Sequence, residues 1–172
     1  MTALALPGLE PESASPPALD QRPAATRFRL ELHVLENPRP MGEVKAFSIG
    51  GVARVVHARP KELRAWQGAV TAEAVDAMGG RPPLDSPVQV TVTFFLTRPS
   101  GHTGKKGLLP SAPRYPKSRP DLDHYIRSTL DALTLAGVFR DDARVVRIVA
   151  AKAFCSTEHP RPGASIVVEE MA

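Results

Sequence analysis

One cysteine, few aromatic rings and no long apolar run set the first limits on this chain. Cys155 is the sole cysteine, so neither a disulfide framework within the chain nor a cysteine zinc cluster can form, and a reducing cytoplasm is the simple setting. Aromatic residues are 5% of the chain against 42% hydrophobic residues in all, so a core must be built from Leu, Val, Ile and Ala. Nothing approaches the roughly 20 apolar residues needed to cross a bilayer. The N-terminus carries Leu4 and Leu6 but no basic stretch ahead of an apolar run, and does not read as a secretory leader. The expectation is a cytoplasmic protein with no membrane partner.

What is present fits one ordinary domain of 172 residues. Eighteen prolines are many, and they cluster. Residues 1–25 hold Pro7, Pro11, Pro16, Pro17 and Pro23 among Ala and Ser without periodicity. They are expected to form a flexible tail ahead of a domain spanning 26–172. The net charge is +4 and the sequence pI about 9.6. That balance suits an anionic partner such as nucleic acid, but many proteins share it, so the distribution of charge must decide.

Apolar and polar residues alternate from Arg27 to Leu35, the pattern of a half-buried strand. A strand pair is expected at Val44–Ile49 and Val52–His57, turned at Gly50-Gly51. Pro60 can open a helix, and Leu63, Trp66, Val70, Ala74 and Ala77 follow at helical spacing until Gly79-Gly80. Val88–Leu96 reads as a strand. Leu122, Ile126, Leu130 and Leu133 form one stripe of a second helix that Gly137 ends. Val145–Phe154 is a β-branched run that reads as a buried strand, and Gly163–Glu169 as the last strand. The fold class is α/β (α+β): a small single domain with a mixed sheet and two main helices.

Residues 98–119 read as a long structureless loop. It carries Arg98, Lys105, Lys106, Arg114, Lys117 and Arg119 and no acidic residue. The plainer reading is a solvated loop. The sharper one is a contact to the phosphate backbone of DNA. Elsewhere, Arg39, Lys45, Arg54 and Arg59 cannot be assigned individually, and the histidines at 33, 57, 102 and 159 form no ligand-spaced pair.

The chemistry concentrates in Arg119–Lys152. Asp121 and Asp123 flank the start of the second helix, where the helix dipole favours negative charge; one of them can simply be an N-cap. Asp141-Asp142 follows about twenty residues on, at the entrance of the β-branched run. If that strand runs antiparallel to the helix, a helix length of about 20 Å separates the two pairs. Either the strand crosses differently or a second subunit supplies the missing partner; the spacing leaves both open.

The same segment resembles the signature of the RusA family of Holliday-junction resolvases. Pro120-Asp121-Leu122-Asp123, Asp131-Ala132-Leu133-Thr134, Ala136-Gly137-Val138 and Asp141-Asp142 followed by Arg144-Val145-Val146 stand in the family's order and spacing. The resemblance implies a small α/β domain that forms a homodimer. It implies that Asp121, Asp123 and Asp142 converge on a catalytic Mg2+ (Mn2+ being the alternative ion), with Asp141 in support. It implies action on branched DNA, the four-way junction, in DNA recombination and repair, and a bacterial or phage source. Magnesium suits hard oxygen ligands and needs few of them from protein. The DNA affinity must then come from Lys105, Lys106, Arg114, Lys117 and Arg119.

Two positions depart from the family pattern. His124 stands where Asn is usual and is expected to be exposed or to support a ligand, since imidazole matches magnesium poorly. Arg127 stands where Lys is usual. Its plainer role is an ion pair with Asp123 one turn back; its catalytic role would be to steady the phosphoryl transition state. Arginine keeps the charge but cannot readily give up a proton. Asp131 is expected to pair with Arg127 or to serve local structure. The alternative to an enzyme is a branched-DNA-binding protein of the same fold with weak or lost catalysis.

Overall fold

The computed structural model describes residues 28–171 apart from 43, 51, 58 and 59, so the expected tail at 1–25 lies outside the described residues, as do Arg59 and the side chains of Lys45, Arg54 and His57. In chain order the elements are β1 (Arg29–Val34), β2 (Val44–Ile49), β3 (Val52–His57), α1 (Pro60–Met78), β4 (Val88–Leu96), β5 (Thr103–Gly104), β6 (Gly107–Leu108), α2 (Leu122–Leu135), β7 (Val145–Phe154) and β8 (Gly163–Glu170), with 3-10 turns at Ser100–His102 and Asp142–Arg144.

The main sheet has the order β1-β8-β4-β7. β8 is antiparallel to both β1 and β4, whereas β4 and β7 are parallel. The registers put Leu30, Leu32 and Val34 on one face with Val168, Ile166 and Ala164, and these with Val90, Val92 and Phe94. That face is buried under the helices. α1 contributes Leu63, Trp66, Val70, Ala74 and Met78, and α2 contributes Tyr125, Ala132 and Leu133. Phe94 links the layers, edge-on to Trp66 at 6.3 Å between ring centroids and 5.3 Å from Tyr125. The other face carries Arg29, Gln89 and Glu169, joined by bonds of 2.8 Å (Arg29 to Glu169) and 3.2 Å (Gln89 to Glu169). The period-2 alternation of β1 is that of a sheet with one face covered.

Two expectations are corrected here. Residues 98–119 are not structureless, since β5 and β6 pair as a short hairpin, with Gly107 at positive φ. β7 is not buried. It is an edge strand, with Val146, Ile148 and Val149 at 61, 41 and 52% exposure. Val146 is the extra residue of a bulge opposite Val88–Gln89. Ile148 pairs with Val90 and so shares the helix-covered face, yet no strand of the described residues lies beyond it.

The contact of β8 with β1 leaves no room at Gly163. A Cβ there would meet the Val34 carbonyl oxygen. Gly163→Ala should therefore force the two strands apart and lower stability by about 1–3 kcal/mol, read as a reduced urea midpoint at unchanged slope.

Candidate metal and nucleic-acid site

Parallel neighbours cannot be joined by a hairpin, so the chain passes from β4 to β7 through a crossover that contains α2. The helix runs back against the strands. It starts beside the carboxyl ends of β4 and β7 and finishes beside their amino ends. At the first end, Lys152 Nζ donates to the carbonyls of Ser118 (3.1 Å) and Pro120 (2.9 Å). At the second, the Leu84 amide donates to Val138 O at 2.9 Å and Arg144 pairs with Asp85 at 2.7 Å.

Asp121 and Asp123 stand at the first end. Asp121 occupies the N-cap position of α2, but its carboxylate accepts no capping hydrogen bond. The capping role that its position suggests is not the one it plays. Asp123, in the first turn, is 76% exposed, with His124 Nε2 at 3.7 Å from one oxygen. Two open carboxylates thus flank a helix start whose partial positive charge offsets their repulsion. His124 is half-exposed and lies against Gly42. Its carbonyl accepts from the Met41 amide at 2.9 Å, and Ser128 Oγ donates to Arg39 O at 2.6 Å. These bonds dock the 37–42 loop on α2.

Asp141 and Asp142 stand at the second end. Asp141 Oδ1 accepts from the Ala143 amide at 2.8 Å and caps the 3-10 turn. Asp142 is exposed. The 14 residues of α2 put about 21 Å between the two ends. Among the described residues no three His, Cys, Asp or Glu side chains lie close enough to share a metal ion. The chain does not adopt the crossing that would carry Asp142 back to Asp121 and Asp123 within one subunit.

Basic residues gather at the Asp121 end. A cleft of about 460 Å³ opens there between the 37–40 segment and residues 116–120, with Arg39 and Arg119 in its wall and Tyr125 and Phe154 at its base. It sits at the carboxyl ends of parallel strands, where open α/β sheets bind ligands. Lys105, Lys106, Arg114, Lys117 and Arg119 are all exposed. Arg98 instead serves structure. Its guanidinium lies 3.9 Å above the Phe154 ring and donates to Pro113 O at 3.0 Å, which ties down the 98–119 segment.

Arg127 is exposed one turn beyond Asp123. Among the described residues it forms no ion pair with Asp123 or with Asp131, so the helix-surface pairing expected of it is not made. Burial pushes the Cys155 thiol up, away from thiolate nucleophile chemistry.

Sequence reasoning missed Lys152. Its signal was a charge set among the apolar residues that close β7, where a half-buried cation is retained only if it finds acceptors. Its two carbonyl bonds fix the segment that leads into Asp121.

The sequence matches the family model described as endodeoxyribonuclease RusA over residues 37–169. The match takes in the docked loop, both aspartate pairs and β7. No curated protein matches the chain.

Lys152→Met should free the 118–120 segment. Two lost hydrogen bonds predict about 1–3 kcal/mol of destabilisation, with amide exchange at 118–123 accelerated more than in β4. Uniform exchange across both segments would refute the positioning role.

Proposed function

The chain belongs to the RusA family of endodeoxyribonucleases, enzymes of the Holliday-junction resolvase class, and on that premise we propose a magnesium-dependent enzyme that cuts four-way DNA junctions by paired nicks, as a homodimer, in recombination and repair. The observation that carries the proposal is the placing of two unspent carboxylates, Asp121 and Asp123, beside a basic cleft and a cationic loop.

The donor set fits the ion. Magnesium is commonly held by one or two carboxylates together with substrate phosphate oxygens and water. Asp121 and Asp123 would hold it; Asp142, the third ligand that the family resemblance implies, stands about 21 Å away at the other end of α2 and would reach it only from a second subunit. When bound, the ion would polarise the scissile phosphate and stabilise the leaving oxygen. The rest is work for the chain's own residues. Lys105, Lys106, Arg114, Lys117 and Arg119 neutralise phosphates and orient the duplex arms. Arg39 and Arg119 line the cleft wall next to the reacting strand. Arg127 has no carboxylate partner on its helix, and so it is available to a phosphate oxygen as a bidentate donor. Lys152 holds the 118–120 segment at its place. Two identical sites related by a two-fold match a junction whose nicks are paired.

Arg127 is also the observation that favours a second reading, a branched-DNA-binding protein with weak catalysis, because arginine cannot serve as a proton donor where the family has lysine. Arg127→Lys separates the two. A cleavage rate raised by about tenfold or more marks the natural chain as impaired, and an unchanged or lower rate supports the enzyme as it stands.

Two measurements test the site directly. Asp123→Asn should abolish cleavage of a labelled four-way junction in magnesium while leaving junction binding equal or tighter, since it removes a ligand and a negative charge facing phosphate; wild-type cleavage by this variant would remove Asp123 from the site. Lys105→Ala with Lys106→Ala should weaken binding to all junction sequences alike. It should also make the slope of log affinity against log salt shallower by about 1–2.

A further inference from the structure

The cleft beside Asp121 is too small for a duplex and too well furnished for a bare phosphate. We propose that it receives one unstacked nucleotide of the cut strand, drawn from the branch point, and that this capture is how the chain tells branched DNA from continuous duplex. The inference rests on the endonuclease reading and names the part of the substrate that fills its cleft.

Size and floor come first. The cleft holds about 460 Å³, within the range of about 300–1,000 Å³ for pockets that enclose a small molecule. A base with its sugar enters such a space; a stacked base pair does not. The floor is apolar and fixed. Tyr125 packs 5.3 Å from Phe94. Phe154 is held by Arg98, 3.9 Å over its ring, and by His102, edge-on at 5.8 Å. Pro38 and Pro116, both buried, stand in the two facing walls. Rigid apolar surfaces of this kind suit the face of a base whatever its identity.

The rim comes second. Asn37, Thr97 and Ser118 border the same cleft. Among the described residues none of their side chains makes a hydrogen bond. An amide donates and accepts in one plane, and a hydroxyl does either. The edge of an extruded base is read by that mixture of groups. Arg39 and Arg119 stand in the walls without an ion pair among the described residues, and guanidinium binds the phosphate that a nucleotide brings with it. Apolar floor, mixed polar edge and cationic rim answer to base face, base edge and phosphate in turn.

Position comes third. Arg119 and Pro120 line the cleft and Asp121 is the next residue, so a nucleotide seated there adjoins the phosphate that the open carboxylates face. Both walls are tied to the body of the domain. Ser128 Oγ donates to Arg39 O on one side, and Lys152 Nζ to the Ser118 and Pro120 carbonyls on the other. The slot is therefore formed before substrate arrives, which lowers the cost of ordering on binding. Taking a nucleotide out of DNA costs its stacking and pairing, and costs least where these are already interrupted. A branch point meets that condition and continuous duplex does not.

The fluorescent base 2-aminopurine, which brightens on leaving the stack, tests the proposal. It replaces one base at a time, from the branch point outward, in a synthetic four-way junction. The full-length Asp123→Asn chain in EDTA binds this junction and leaves it whole. Emission should rise severalfold at a position beside the branch point and stay flat in the arms. Thr97→Leu and Ser118→Leu, each added at an exposed wall position, narrow the cleft and should suppress the rise at an unchanged melting temperature. A second measurement needs no reporter. The Asp123→Asn chain should bind a linear duplex with one unpaired nucleotide about tenfold or more tightly than the fully paired duplex, because the cost of extrusion is reduced. Thr97→Leu should erase most of that preference. Flat emission at every position of a bound junction, a rise untouched by both leucine variants, or equal affinity for the two duplexes overturns the proposal; a cleft that takes a loop of another protein gives the first of these. Failure of the wild-type chain to bind and cut junctions in magnesium would instead defeat the nuclease reading beneath it.

Discussion

The parallel pairing of β4 with β7 is the constraint from which the site follows. Because those strands point the same way, the chain between them must cross the sheet, and the crossover turns α2 against them. That one choice places the start of α2, the 98–119 segment and the 37–42 loop at the carboxyl ends of the strands. It also leaves β7, the last strand added on that side, at the sheet edge. An antiparallel β7 joined by a hairpin would have had no helix start there and no basic segment gathered around it. The fold makes the cleft before any functional side chain is considered.

Much of this was legible in the residues. The stripes Leu63-Trp66-Val70-Ala74 and Leu122-Ile126-Leu130-Leu133 marked both helices, and glycines at positive φ end them, Gly79 and Gly137 among them. Alternation marked β1. The separation of the two aspartate pairs followed from helix length only on the condition that the strand runs antiparallel to the helix, and the spacing left the other crossing open. β7 was misread, for a physical reason. A continuous β-branched run states that both faces and the edge avoid water, but not whose atoms will cover them. The 98–119 segment was misread because its hairpin is two residues to a strand, too short for any period to register. Lys152 was visible but mute, since its role depends on carbonyls more than thirty residues earlier in the chain.

The carboxylates show where local rules give way. An N-cap aspartate ordinarily spends its side chain on the first backbone amides, worth about 1 kcal/mol. Asp121 holds the position without making the bond, while Asp141, at the other end, makes the equivalent bond to Ala143. Two chemically identical residues at two turn starts are thus used differently. One is consumed by structure and the other kept open. Departures of this kind, where a stabilising option stands unused, concentrate at functional sites.

The exposed edge of β7 is a second stabilising option left unused. Covering it with another element of its own chain would have stabilised the fold, since Val146, Ile148 and Val149 would each gain about 1–2 kcal/mol on burial. Among the described residues no strand pairs with its outer side, so the strand that anchors the start of α2 through Lys152 does so from the rim of the sheet and not from its middle.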